Sequence, residues 1–149
     1  MRALVIASDH AGVDLKRRLI DALGARGDLA ITDLGPAEAV RCDYPDFAAA
    51  VCRALQSGEA QVGVLVCGTG IGMSIAANKF AGVRAALVHD ATTARFARQH
   101  NDANVLCLGA RVIGEAVAID ALLAFLDADF EGGRHVGRLA RIATFEQGV

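Results

Sequence analysis

Five short apolar runs punctuate the chain, at Ala3 to Ala7, Ala30 to Leu34, Val62 to Cys67, Val83 to Val88 and Asn104 to Leu108, each rich in Val, Leu or Ile and bounded by Gly, Asp or Asn. Continuous runs of this length predict strands buried on both faces, as in a parallel sheet covered by helices. Between them the period becomes helical. Leu15, Leu19 and Leu23 share one stripe with Lys16, Arg17 and Arg18 turned away from it, and Phe47, Val51 and Leu55 form a second. Asp43 before Tyr44 and Pro45 signals a helix start, Gly58 a stop, and Asp90 a further cap. Val117, Leu122, Leu123 and Leu126 give a fifth helix its apolar face. Strand and helix alternate without linker or repeat, which predicts an α/β fold: a three-layer αβα domain over residues 1–149 with a doubly wound, five-stranded, Rossmann-like parallel sheet. The alternation breaks at Phe130 to His135, and Val136 to Phe145 then reads as a C-terminal helical extension.

Composition narrows the function classes. With 149 residues, 54% hydrophobic and 21% charged, the chain can build a core without disulfide or metal staples and lacks the signature of disorder. A formal net charge of −2 supplies no field that would draw the whole molecule onto nucleic acid or an anionic membrane, so any anion must be held locally. No apolar stretch approaches the ~18–20 residues of a membrane helix, and no leader is evident at Met1 to Ser8. Cys42, Cys52, Cys67 and Cys107 form no C-x-x-C pair and no zinc spacing with His10, His89, His100 or His135. A reducing cytoplasm is therefore expected, with Cys52 and Cys107 as core and Cys42 undecided.

Chemistry is expected beyond the carboxyl ends of the strands, near the point where the winding reverses. The first strand ends in Ser8-Asp9-His10-Ala11-Gly12, and the third in Cys67-Gly68-Thr69-Gly70-Ile71-Gly72-Met73-Ser74, which runs straight into a helix. Its glycines leave backbone N–H groups at a helix start, a place that stabilises an anion. Three common uses of such a turn fail here. The dinucleotide pattern G-x-G-x-x-G lacks its third glycine, a Walker loop lacks G-K-[ST], and a cysteine phosphatase loop would need Arg where Met73 stands. Cys67 has two readings: a small hydrophobe finishing a strand, or a partly exposed thiol whose pKa the following amides lower from about 8.5, which would then alkylate ahead of Cys42. His100-Asn101-Asp102-Ala103-Asn104 is polar for so short a connection; ordinary turn formers with His100 as a helix C-cap would explain it. Topology puts that loop at the amino edge of the sheet, opposite Cys67, so a site using both spans two subunits. Arg134, Arg138 and Arg141 share one helical face, for which a solvated surface is the simpler reading.

Taken in order, Ser8 to Gly12, Asp43-Tyr44-Pro45, Cys67 to Lys79, His100 to Leu106, Gly109-Ala110-Arg111 and Glu131 to His135 followed by Arg138 make the sequence similar to the ribose-5-phosphate isomerase B family, which also includes allose- and galactose-6-phosphate isomerases. The resemblance implies an aldose–ketose isomerisation through a cis-enediolate, without metal or cofactor. It also implies a homodimer with shared active sites that can pair into a tetramer. Carried over by position, Cys67 looks like the base between C1 and C2, Thr69 assists proton movement between oxygens, and the amides of Gly68, Gly70, Ile71 and Gly72 face the enediolate. His100 resembles the group that opens the sugar ring. Asp9, Tyr44 and Asn101 would contact hydroxyls or shape the pocket, and His10, Arg111, Arg134 and Arg138 would hold the phosphate. Relatives without the cysteine use a carboxylate at the position of Met73, so this chain resembles the cysteine type. Pentose 5-phosphate is the leading substrate, beside allose 6-phosphate or a tetrose phosphate. The rivals from other classes are a non-catalytic phosphate- or nucleotide-binding module and a thiol phosphatase.

Overall fold

All five strands fall where the apolar runs put them, and they pair only in parallel. In the computed structural model, which describes residues 1–147, β1 (Arg2–Ser8), β2 (Leu29–Asp33), β3 (Val62–Cys67), β4 (Ala85–Leu87) and β5 (Val105–Gly109) form one sheet in the order β2-β1-β3-β5-β4. Gly148 and Val149, part of the expected domain, lie outside the described residues. The helices are α1 (Val13–Leu23), α2 (Tyr44–Gln56), α3 (Ile71–Ala77), α4 (Ala91–Asn101), α5 (Glu115–Asp127) and α6 (Arg134–Thr144). One apolar cluster joins α1, α4 and α5 to the sheet through Leu19, Ala97, Leu122 and Phe125; a second joins α2 and α3 through Val51, Cys52, Met73 and Ala77. The two clusters are the two faces of a three-layer αβα sandwich. No described helix is long and apolar enough to cross a membrane.

Only three strands are buried as expected. Along β3 and β5 every residue is buried, and β1 is buried from Leu4 onward, because these strands carry helices on both faces and strands on both sides. By contrast β2 and β4 are edges: β2 is buried only at Leu29, and β4 is half-buried and shrinks from the expected Val83 to Val88 to Ala85–Leu87. An apolar run does not say whether its strand will have a neighbour on each side.

Lys16 corrects the reading of α1. Expected on the solvent face, it is fully buried, its ammonium donating to Asp33 Oδ1 at 2.5 Å and to the Pro36 carbonyl at 2.8 Å. A charge is tolerated inside because both partners meet it. The pair ties α1 to the end of β2 and to the segment that leads to Tyr44. The helix signals near the site hold with small shifts. Asp90 caps α4, accepting from Thr93 N–H at 2.7 Å, whereas Asp43 precedes α2 without a side-chain cap bond. His100 lies inside the last turn of α4 and not at its cap; Asp102 takes that place in the left-handed region at φ 43°. The last long helix begins at Arg134, two residues before the expected Val136.

Candidate active site

The winding reverses between β1 and β3, and both strands deliver their motifs to that point. Asp9 follows β1, is buried, and its Oδ1 accepts from the N–H groups of Ala11 at 2.9 Å and Gly12 at 3.2 Å. The carboxylate therefore shapes its own loop. His10 sits on that loop with Nδ1 3.4 Å from the Cys42 backbone N–H and 4.0 Å from the Cys42 sulfur. At the end of β3, Cys67 Sγ accepts from the Gly70 N–H at 3.1 Å. That bond closes the turn because Gly70 has φ 78°, a conformation in which a β-carbon would also collide with Leu87 and Leu108. The Ile71 N–H donates to Thr69 Oγ1 at 3.2 Å. Two of the amides expected to face the reaction are thus engaged inside the turn.

Two further side chains lie over the turn. Tyr44, the first residue of α2, packs against Gly72 so closely that a β-carbon there would meet its ring at 2.6 Å. Arg111 brings its guanidinium within 3.3 Å of where a β-carbon of Gly68 would stand, and the Arg111 backbone N–H donates to the Gly68 carbonyl at 2.9 Å. Asp9, His10, Tyr44, Cys67, Gly68, Thr69, Gly70, Ile71, Gly72 and Arg111 therefore gather at the carboxyl edge of the sheet.

His100 and Asn101 do not join them. They end α4 at the amino edge, where the following Asn104 carbonyl accepts from the N–H of Gly63, at the start of β3. The length of β3 alone, at roughly 3.3 Å per residue, separates the two groups by about 16 Å. On the amino edge His100 stacks between Phe96 at 4.8 Å and His135 at 4.6 Å, measured between ring centroids. Glu131 faces both imidazoles, its Oε2 3.9 Å from His100 Nε2 and 3.8 Å from His135 Nε2. Burial, with His100 and Arg134 alongside, holds the His135 pKa below the ordinary histidine value, against a smaller opposing effect of Glu131. Arg134 and Arg138 are exposed, and among the described residues neither has an ion-pair partner. A cavity of about 730 Å³ lies beside this group, lined by Lys79, Arg84, Asn101, Leu139, Ile142 and Phe145; it does not reach Cys67. Sequence reasoning took Arg134 from the Glu131 to His135 motif and missed Glu131 and His135, whose partnership with His100 is made through space.

The cysteines sort by burial. Burial pushes the Cys52 thiol up to about 11 and the Cys107 thiol higher still, with Cys67 as a secondary cause for the latter. Both are core, as expected. Cys67 is buried too, at 4% exposure, while Cys42 is half-buried. Accessibility alone thus favours alkylation of Cys42, and the partial exposure expected of Cys67 is not found. Iodoacetamide at neutral pH should modify only Cys42 and Cys67 in the folded protein, which peptide mass mapping checks; early labelling of Cys52 or Cys107 would contradict their place in the core.

Fold and site together define an open-sheet α/β protein with a cysteine and a glycine turn at its switch point. Residues 4–142 match the family model described as Ribose/Galactose Isomerase. Ribose-5-phosphate isomerase B of Escherichia coli (strain K12) is 44% identical over 147 residues, covering 99% of this chain and 98% of that one. D-erythrulose-4-phosphate isomerase of Pectobacterium atrosepticum is 43% identical, over 98% of this chain and 96% of its own. The solved structure of ribose-5-phosphate isomerase B from Clostridium thermocellum superposes with a TM-score of 0.95 at 46% identity, covering 97% of each chain. The chain belongs to the ribose/galactose isomerase family.

Proposed function

We propose that the protein interconverts ribose 5-phosphate and ribulose 5-phosphate. The observation that carries this reading is Cys67 Sγ, held by the Gly70 amide at the switch point of a chain matched to the isomerase family over residues 4–142. Ring opening moves the anomeric hydroxyl proton to the ring oxygen, with His100 as the carrier. The Cys67 sulfur then takes the C2 proton and returns it to C1, while the Thr69 hydroxyl assists transfer from O2 to O1. Negative charge builds on oxygen in the intervening cis-enediolate, where preorganised donors act most strongly. Gly68 and Gly72 complete the turn that faces it, and Asp9, Tyr44 and Asn101 shape the pocket or meet hydroxyls. No cofactor enters this sequence of steps. Four free thiols fit a cytoplasmic setting.

The active site is shared between two copies of the chain in a homodimer. His100, Asn101, Arg134 and Arg138 lie on the edge opposite Cys67, and a two-fold axis brings one protomer's amino edge to its partner's carboxyl edge. His10 and Arg111 then approach the phosphate from one protomer and Arg134 and Arg138 from the other. Two exposed arginines with no acidic partner among the described residues are spare charge in a folded monomer and the required charge in such a site.

Incubation with ribose 5-phosphate tests the reading directly. Ribulose 5-phosphate is the expected product; free phosphate would point to a phosphatase, and binding without turnover to a non-catalytic module. A second substrate has specific support, since the relative named for D-erythrulose 4-phosphate is about as similar as the one named for ribose 5-phosphate. Comparing kcat/KM for C4, C5 and C6 sugar phosphates separates these, with the pentose expected to lead. Arg134→Ala and Arg138→Ala should each raise KM about tenfold or more and lower kcat as well, because a charge-assisted bond to an anion contributes roughly 1.5–3 kcal/mol and anchors the reacting carbons from a distance. Wild-type KM in both variants would return the arginine stripe to a solvated face.

A further inference from the structure

The turn that carries His100 and Asn101 is fixed by a residue that takes no part in the proposed steps. Asp102 follows α4 with φ 43° and ψ 43°, and among the described residues it is the one non-glycine residue at positive φ. Asp tolerates this left-handed region better than most side chains, yet a plain helix cap takes Gly or Asn there and asks nothing of the side chain. Here both carboxylate oxygens are occupied. Oδ1 accepts from Arg98 Nη1 at 2.9 Å, within α4, and Oδ2 accepts from Arg84 Nη2 at 2.9 Å, on the residue before β4.

The same two guanidinium groups hold the backbone around Asp102. Arg84 Nε donates to the carbonyls of Asn101 at 3.0 Å and Asp102 at 2.9 Å, and Arg98 Nη1 donates to that of Ala103 at 2.6 Å. Three consecutive carbonyls are thus bound. Arg84 is itself fixed, its backbone N–H donating to Asn104 Oδ1 at 2.8 Å and its carbonyl accepting from the Asn104 N–H at 3.0 Å. The Asp102 and Arg84 side chains are about a third exposed and Arg98 less, so water screens this clamp only in part.

We propose that Asp102 is a positioning residue for the isomerisation: clamped between Arg84 and Arg98, it sets the backbone from which His100 and Asn101 reach the active site. The effect on turnover rests on the reading of His100 as the ring-opening group; the positioning itself does not. Stacking between Phe96 and His135 fixes the tilt and height of the His100 ring but leaves it free to slide in its own plane. Sliding is resisted by the backbone behind the ring, two residues from Asp102. A backbone conformation of this kind persists only where its surroundings enforce it, and the two guanidinium groups do so. A ring that serves a site in the partner subunit carries any error at its base across the interface, and a misplacement of about 1 Å costs about 10²-fold in rate.

Asp102→Gly is the variant to test, because glycine keeps the left-handed backbone without steric cost and removes only the carboxylate. In the full-length protein its kcat for ribose 5-phosphate should fall at least about tenfold. KM should stay within about threefold, since the arginines that hold the phosphate are untouched. The proton NMR signal of the His100 imidazole, identified by its absence in His100→Ala, should shift as the stacking on Phe96 and His135 changes, with the His10 and His89 signals in place. Asp102→Asn keeps the backbone and an acceptor for one guanidinium, so the same changes should appear at smaller size; it carries the test should the glycine variant fail to fold. Refolding Asp102→Gly with Cys67→Ala should raise activity to about a quarter of wild type, whereas refolding with His100→Ala should leave it below about a tenth, which puts the defect on the amino edge. Wild-type kcat or an unmoved His100 signal in the folded variant overturns the proposal. So does equal activity in the two mixtures when Cys67→Ala and His100→Ala complement each other. A shifted His100 signal in a protein whose wild type does not isomerise ribose 5-phosphate would instead overturn the functional reading and leave the positioning role standing.

Discussion

Replacing Cys67 by Ala is expected to lower the rate of ribose 5-phosphate isomerisation by at least ~10²–10⁴, the usual contribution of a positioned acid or base. Of the residues gathered at the carboxyl edge, Cys67 alone combines an ionisable side chain with a place at the centre of the glycine turn, its sulfur 3.1 Å from the Gly70 amide. Asp9 has an oxygen committed to the N–H groups of Ala11 and Gly12, and His10 stands on a neighbouring loop against Cys42. Stability should change little. Removing one buried sulfur resembles removing one buried methyl group, about 1 kcal/mol, so circular dichroism and the thermal midpoint should stay near those of the wild type. Phosphate-dependent binding should survive, because the arginines and His10 are untouched. Activity retained within a factor of ten would end the assignment of Cys67 as the base.

Central elements were legible in the sequence because their signals are local. The run Val62 to Cys67 becomes a strand buried at every position, and the glycine turn behind it can only serve the carboxyl edge. Edges were not legible in the same way. Nothing within Leu29 to Asp33 reveals that β2 has β1 as its one strand neighbour, and nothing around Lys16 reveals that Asp33 and the Pro36 carbonyl, 17 and 20 residues away, will receive its ammonium inside the protein. The amino-edge cluster is a third case. His100 and His135 come from different helices and meet by stacking, and Glu131 reaches them because its backbone is pinned to Gln99. Helical periodicity displays Arg134, Arg138 and Arg141 as a stripe but carries no information about which loop that stripe will approach.

Mixing two inactive proteins should restore activity, and this result bears most directly on the proposal that the site is shared between subunits. Cys67 pairs with Gly109 at the carboxyl end of β3, whereas Gly63 near its other end pairs with Val105, the residue that begins β5 after the His100 loop. Neither a side-chain rotation nor a loop movement of ordinary size closes a gap of about 16 Å through the body of the sheet. Cys67→Ala and His100→Ala should each be inactive or nearly so as pure proteins. Unfolded together at equal ratio and refolded, they should give about half mixed dimers. In each of these, one site receives both intact residues and the other receives neither. Recovered activity should therefore approach roughly a quarter of the wild-type value if the two sites act independently. Mass spectrometry under native conditions measures the heterodimer fraction, and activity should scale with it. Heterodimers formed in that proportion without any recovery would place Cys67 and His100 in one site of one chain, and the opposed-edge arrangement of the active site would have to be abandoned.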